Sequence, residues 1–342
     1  MKFSSLVSAF AAVSSVFAAP LEKRDDNELS ASNKTILLTN DDGWAATNIR
    51  AAYRDLKNAG YNVVMVAPVS QRSGFGGQFN IPPTANLTTD GGFAYPPQGA
   101  PSWGHEEDDL NIWYFNGTPA SCVAFAVNYV FPTYFDNATI DLVVAGPNEG
   151  TNLSPGMYTL SGTIGATYSA VGRGIPGIAF SGSNGNNSFF KDDVARENDV
   201  NFTPNIYARK VVEMVQILFN SSANHPNLLP LTTGINVNFP PTGDEDKSCL
   251  DPQFVFSRLS GPDSISPDMA FNETSGLFEW KNGHFTGTTQ CIFGNCDLPS
   301  ESWVLAEEKC KTSVSVFSID YDASYKQAQT VENYLAPLFE KA

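Results

Sequence analysis

Asp41 and Asp42 stand side by side at the end of a short apolar run, Thr35 to Asn40, and are followed at once by Gly43. Neighbouring carboxylates repel one another unless a cation lies between them. A second apolar run, YNVVMVAP at 61–68, leads into Gln71-Arg72-Ser73-Gly74-Phe75-Gly76-Gly77. A third, DLVVA at 141–145, leads into Gly146-Pro147-Asn148-Glu149-Gly150, and Ser161-Gly162-Thr163 then opens a run of small residues. Two carboxylates, a hydroxyl and an amide carbonyl are hard oxygen donors, suited to one divalent Mg²⁺, Mn²⁺ or Ca²⁺ rather than to structural zinc. Hydroxyls and free N–H groups at a helix start form an anion site. A cation beside such a cradle suits phosphoryl transfer to water, because it polarises the phosphoryl oxygen and acidifies the attacking water. Each segment alone reads as a turn; their common position at strand ends gives them weight.

The elements that must position these residues alternate in type. Strands are expected at Thr35 to Asn40, 61–68, Ile112 to Phe115, Asp141 to Ala145, Gly177 to Ser181 and Gly234 to Phe239. Helical patterns fall between them at Ile49 to Ala59, Cys122 to Tyr134, Gly162 to Gly172 and Pro204 to Phe219. Strands that are apolar throughout are those buried on both faces, so the expected fold is α/β, a doubly wound, mostly parallel sheet with helices on both faces. In such sheets ligands bind beyond the carboxyl ends of the strands, where every candidate above lies. After about residue 240 the pattern changes to Pro, Gly, Ser and Cys, with strands at Gln253 to Phe256 and Ser313 to Ile319 that look antiparallel and a closing helix from Ala323 to Phe339. The expected organisation is one domain over 25–342, with a core at 35–240 and a disulfide-containing extension at 241–342. The insertion at 81–111 carries an acidic tip, Glu106 to Asp109, expected to be a solvated loop.

Other chemistries lack their residues. None of His105, His225 and His284 sits in the Arg-His-Gly context of a histidine phosphatase, and no Gly-x-Ser-x-Gly elbow is present. The first strand ends in Asp41-Asp42-Gly43 where a dinucleotide fold would carry G-x-G-x-x-G. A glycosidase using Asp41 or Asp42 is a weaker alternative, because adjacent residues seldom both face one sugar site. A non-catalytic binding protein on the same fold is the other alternative.

The chain of 342 residues carries 36 acidic against 20 basic side chains, a net charge of −16, which opposes binding to a nucleic-acid polymer. Met1 and Lys2 precede a short apolar stretch with a small-x-small cleavage pattern, Val16-Phe17-Ala18, and a dibasic Lys23-Arg24. These mark 1–24 as a signal peptide and pro-segment and predict a secreted or cell-wall protein. No later stretch reaches the ~18 apolar residues of a membrane span. Nine N-x-S/T sequons, at Asn33, 86, 116, 137, 152, 186, 201, 220 and 272, fit a glycoprotein. Cys249, Cys291, Cys296 and Cys310 suit two disulfides in an oxidising compartment. A short Cys291–Cys296 loop would leave Cys249 with Cys310, and the other two pairings stay open. Cys122 reads as a buried thiol.

At these residues a specific resemblance emerges. T-N-D-D-G, A-P-x-x-x-R-S-G, V-V-A-G-x-N-x-G-x-N-L and S-G-T-x-x-A, with Gly117-Thr118-Pro119-x-x-Cys122 and Gly234-Ile235-Asn236-Val237-Asn238, resemble in order the SurE family of metal-dependent phosphatases and nucleotidases. The resemblance implies a Rossmann-like core, one divalent metal and hydrolysis of phosphomonoesters, often nucleoside monophosphates. It makes Asp41, Asp42, Ser73 and Asn148 the metal ligands. Gly74, Ser161, Gly162 and Thr163 would surround the phosphate, with Asn40 close by and Asn40, Asp41 and Asp42 forming the catalytic group. It also implies assembly through the C-terminal segment, here a homodimer. The sequence departs from the family at Ser121, where an aspartate is usual, and at Glu149, which adds a negative charge beside a ligand. The family's C-terminal aspartate motif has no clear counterpart around Glu301 to Glu307. Secretion suggests an extracellular acid phosphatase that scavenges phosphate.

Overall fold

The computed structural model describes residues 33–185, 187–223, 227–292 and 294–339. The expected leader at 1–24, the dibasic pair and the sequon at Asn186 lie outside them. The elements run β1 (Thr35–Thr39), α1 (Thr47–Asn58), β2 (Asn62–Pro68), β3 (Trp103–His105), β4 (Ile112–Phe115), α2 (Pro119–Phe125) and α3 (Phe131–Tyr134). They continue with β5 (Leu142–Asn148), α4 (Ser154–Leu160), α5 (Gly162–Val171), β6 (Gly177–Ser181), α6 (Thr203–Ser222) and β7 (Thr233–Asn238). The last third holds β8 (Gln253–Ser257), β9 (Ser266–Asn272), β10 (Leu277–Gly283), α7 (Thr286–Thr289), α8 (Glu301–Glu307), β11 (Lys311–Ser318) and α9 (Tyr325–Phe339).

Nine strands form one sheet in the order β3-β4-β2-β1-β5-β6-β7-β11-β8. From β4 to β7 all neighbours are parallel. Alternate side chains of a strand face opposite sides, so an all-apolar strand feeds two cores. On one face Ile36 and Leu38 pack with Ile49, Leu56 and Val211 of α1 and α6. On the other, Leu37 packs with Val66, Cys122 and Ala166, beneath α2 and α5. The expected helix at 122–134 is α2 and α3 joined by a π-helical turn at Ala126–Val130. The chain leaves β1 for β2 on one side and later returns to β5 on the other, so a crevice opens between the carboxyl ends of β1 and β5.

The C-terminal strands depart from expectation. β11 is antiparallel to β7, as expected, but β8 is parallel to β11. The long connection through the β9–β10 hairpin and α8 supplies the crossover that a parallel pair requires. Disulfides join Cys249 to Cys310 and Cys291 to Cys296, and Cys122 is a buried free thiol. The acidic tip is not solvated throughout: Glu106 pairs with Arg50 at 2.6 Å and accepts from the Tyr95 hydroxyl, while Asp109 accepts from the Tyr53 hydroxyl at 2.5 Å. The arginine and tyrosines give the tip partners that its sequence alone does not reveal. Among the described residues, no helix is long and apolar enough to cross a membrane.

Candidate active site

The turn after β1 is built by Asn40. Its amide nitrogen donates to the Gly43 carbonyl at 3.1 Å, and its amide oxygen accepts from the Gly43 N–H at 3.3 Å. Gly43 has φ +110°, a left-handed conformation that a side chain would strain, and lies against the Ser70 backbone. Asn40 is therefore fully buried as the clasp of the turn, with both amide groups engaged on Gly43. The turn presents Asp41 and Asp42, each 2% exposed.

Asp41 points to the start of α5. Its carboxylate accepts from the Gly162 N–H at 3.1 Å and from the Thr163 hydroxyl at 2.5 Å. The same hydroxyl lies 3.4 Å from the Asn148 amide oxygen. Asn148 is oriented by its amide nitrogen, which donates to the Glu149 and Gly150 carbonyls at 2.8 and 2.7 Å, leaving its oxygen toward Thr163. Asp42 accepts from the Glu149 N–H at 3.0 Å through one oxygen, while its other oxygen, Oδ1, is buried without a partner. Asp41, Asp42 and Asn148 thus converge at the crevice between β1 and β5.

Electrostatically this is an uncompensated anionic pocket. Burial raises the pKa of both aspartates; for Asp42 the charges of Asp41 and Glu149 push further up. The Glu149 carboxyl is itself pushed up to about 8, by burial and then by Asp41. Among the described residues no lysine or arginine forms an ion pair with either aspartate. Hard oxygens converging without a cationic side chain, one of them orphaned, fit a divalent cation. Ser73 is exposed in a loop whose preceding residue, Arg72, donates its N–H to the Asp41 carbonyl at 2.6 Å. That loop is tied at its far side by the Gly76 N–H to the Leu160 carbonyl at 3.0 Å. Between these anchors Ser73 and Gly74 are exposed, and Gly74 adopts a left-handed φ of +81°.

The expected phosphate cradle is arranged differently from its reading as free donors. The Gly162 N–H and the Thr163 hydroxyl are engaged by Asp41, because a helix N-terminus attracts the nearest anion and here that is a side chain of the site. Ser161 caps α5 by accepting from the Ile164 N–H at 3.2 Å, which leaves its own hydroxyl proton to donate. A Cβ on Gly162 would lie 2.8 Å from the Asp41 Cβ, so glycine there permits the approach.

Several side chains take structural roles that the sequence did not assign to them. The Asn187 amide nitrogen donates to the Asp42 carbonyl at 3.1 Å. The hydroxyl of Ser121, at the position of the usual aspartate, lies 2.6 Å from the Asn80 carbonyl and 2.8 Å from the Thr118 carbonyl, its one proton shared between them, and so ties the 117–118 turn to the loop after Gly77. Glu301 is fully buried at the start of α8 and accepts from the Ser154 N–H at 3.1 Å and the Asn236 amide at 2.8 Å. Asn236 also donates to the Asn152 carbonyl at 3.1 Å, and the Asn152 N–H donates to Asn238 Oδ1 at 2.7 Å. This network holds the far end of the loop that begins at Asn148. The Asn152 sequon is buried, its amide nitrogen donating to Ser181 Oγ at 2.7 Å, so a glycan there is incompatible with the fold.

The comparisons agree with this architecture. The sequence model of the family described as "Survival protein SurE" matches residues 36–256. An acid phosphatase of Yarrowia lipolytica is 45% identical over 294 residues, covering 85% of this chain and 81% of that protein. A 5'-nucleotidase SurE of Desulfovibrio desulfuricans is 35% identical over 146 residues, 43% of this chain and 49% of that one. In fold, the crystal structure of the SurE protein from Aquifex aeolicus is similar with a TM-score of 0.58 at 22% identity, covering 88% of this chain and 99% of that one. The chain belongs to the SurE family.

Proposed function

We propose that this chain is a secreted, divalent-metal-dependent phosphomonoesterase of the acid phosphatase or 5'-nucleotidase type. The observation that carries the reading is the convergence of Asp41, Asp42 and Asn148 on one crevice, with an orphaned, buried oxygen on Asp42. The names of the relatives support the reaction class, and the leader, sequons and disulfides support secretion. Asp41, Asp42 and Asn148 would hold the cation, with the Ser73 hydroxyl completing the set. When bound, a hard divalent cation supplies Lewis-acid polarisation of the phosphoryl group and acidifies an attacking water. The chain's own residues do the rest. Asn40 fixes the turn, Thr163 holds the carboxylate of Asp41, and the Glu149 and Gly150 carbonyls orient the amide of Asn148. The hydroxyl proton of Ser161 and the N–H groups of the exposed residues Ser73 and Gly74 would receive the phosphate oxygens.

The test is a panel of phosphomonoesters across acidic to neutral pH, with and without chelator, beside Asp42→Asn. Chelation or the substitution should each lower kcat/KM by at least ~100-fold. Turnover insensitive to both would overturn the metal assignment. Retained metal binding with no phosphoester hydrolysis would favour a binding protein, and oligosaccharide cleavage would favour the glycosidase reading.

A further inference from the structure

The sequons divide by the edge of the sheet that they occupy. Asn33 stands just before β1, Asn137 lies in the connection that enters β5, and Asn220 lies in the last turn of α6, from which the chain returns to β7. Strands begin at the edge opposite their carboxyl ends, so all three lie away from the crevice. The side chain of Lys34, the residue after Asn33, also joins their surroundings. Its ammonium pairs with Asp141, just ahead of β5, at 3.2 Å. The same ammonium lies 5.6 Å from the centre of the ring of Phe219, the residue before Asn220.

All three asparagines are exposed. Asn137 closes the turn after α3 in a left-handed conformation, φ 57°, which asparagine tolerates better than most residues. The turn is made by main-chain bonds, from the Asn137 N–H to the Phe131 carbonyl at 3.2 Å and from the Ala138 N–H to the Phe135 carbonyl at 2.8 Å. Asn220 follows Ile217 by three residues, so the two share a face of α6, and Ile217 is 55% exposed. The sequons at the crevice edge differ. Asn152 is buried, with its amide on Ser181 Oγ. Asn116 follows β4, is half-buried and accepts from the Arg72 guanidinium at 3.0 Å. The hydroxyl of its sequon partner, Thr118, is buried and accepts from the Asn80 N–H at 3.0 Å. A branched oligosaccharide needs open solvent around the amide nitrogen, which the first three sites have and these two lack.

Resting on the secretion in the reading above, we infer that Asn33, Asn137 and Asn220 carry one cluster of N-linked oligosaccharides on the edge of the sheet opposite the crevice, while Asn116 and Asn152 stay unmodified. The co-reactant is a lipid-pyrophosphate-linked oligosaccharide. Each asparagine amide nitrogen forms a bond to the anomeric carbon of that donor and gives up a proton to a base of the transferase. The bond from the anomeric carbon to the pyrophosphate oxygen breaks, and the lipid pyrophosphate leaves with the electron pair. The cluster sheathes an edge that takes no part in catalysis, covers Ile217 and keeps the approach to Asp41 and Asp42 open.

The experiment expresses the full chain with its own leader in a fungal secretory host. N-glycans are then released enzymatically in heavy-oxygen water, which converts each occupied asparagine to a labelled aspartate. Peptide mass mapping should find the label at Asn33, Asn137 and Asn220 in most molecules and at neither Asn116 nor Asn152. Asn33→Gln, Thr139→Ala and Asn220→Gln should each remove the mass of one oligosaccharide from the intact protein. Thr139→Ala breaks the sequon while sparing the left-handed asparagine. Label at Asn116 or Asn152 in the folded protein, or any of the three opposite sites left bare, would overturn the inference. Retention of the chain inside the cell defeats the secretion reading separately. The host's own secretory leader, fused ahead of Asp25, then delivers the chain to the same transferase, and the same label pattern supports or overturns the assignment of sites.

Discussion

The site depends on how closely single atoms approach, and Gly162 shows this most sharply. In an ordinary helical position Gly→Ala stabilises by ~1 kcal/mol. Here the added carbon would sit 2.8 Å from the Asp41 Cβ and 2.9 Å from its Oδ2. Gly162→Ala should therefore destabilise by ~1–3 kcal/mol and lower activity by at least ~10-fold, because Asp41 must move. Thermal melting and kcat/KM check this; a more stable, fully active variant would contradict it. At this scale the sequence was informative about Asp41, Asp42 and Asn148, because strand ends in an α/β sheet converge. It could not show that Gly162 and Thr163 would serve Asp41. Sequence reveals that a helix start attracts an anion, not which anion arrives first. Ser161, whose hydroxyl both caps and can still donate, was legible as a hydroxyl at a helix start but not in its division of labour.

Among the elements, α8 gives the clearest case of unread function. Its sequence, ESWVLAE, looks like a short surface helix, yet Glu301 is buried and grips the loop after β5 through Ser154 and, by way of Asn236, Asn152. A lone glutamate in a polar stretch carries no sequence signal of burial. Burial pushes its carboxyl up to about 8 from the ordinary 4.5. A folded-state pKa raised above the unfolded one stabilises fully below the unfolded value, and that contribution is lost as pH rises through the folded value. Glu301 should thus make the fold more stable near pH 4.5 than above pH 8, by on the order of a few kcal/mol. Glu301→Gln, which keeps the neutral carboxyl's shape, should flatten the fall of melting temperature across that interval. An identical pH slope in the variant would refute the assignment. The parallel core strands, in contrast, were readable almost residue by residue, since apolar runs buried on both faces have no other stable setting. The β9–β10 hairpin and α4 were not recognised, and the sense of β8 depended on a crossover visible only in the sheet.

For the whole molecule, the β9–β10 ribbon bears on the homodimer implied by the family resemblance. Register places Phe271 opposite Phe278 and Met269 opposite Trp280, on one face, and all four are 56–68% exposed. A two-stranded ribbon is marginal in water without a surface to pack on. The expected occupant is the same ribbon of a second copy. Light scattering should then find a dimer that Trp280→Glu converts to monomer, with the circular dichroism spectrum retained; a monomeric native protein would count against it. The sheet order has a further consequence, in time rather than in space. β8 pairs within the sheet only with β11, which enters between it and β7. A chain emerging from the ribosome therefore completes β1 to β7, with both aspartates and Asn148 in place, while β8 has no neighbour and Glu301 is still unmade. The hold of Glu301 on Ser154 can form only once the last part of the chain has been synthesised, so a prematurely terminated product would contain every proposed metal ligand and still lack this one tie on their loop.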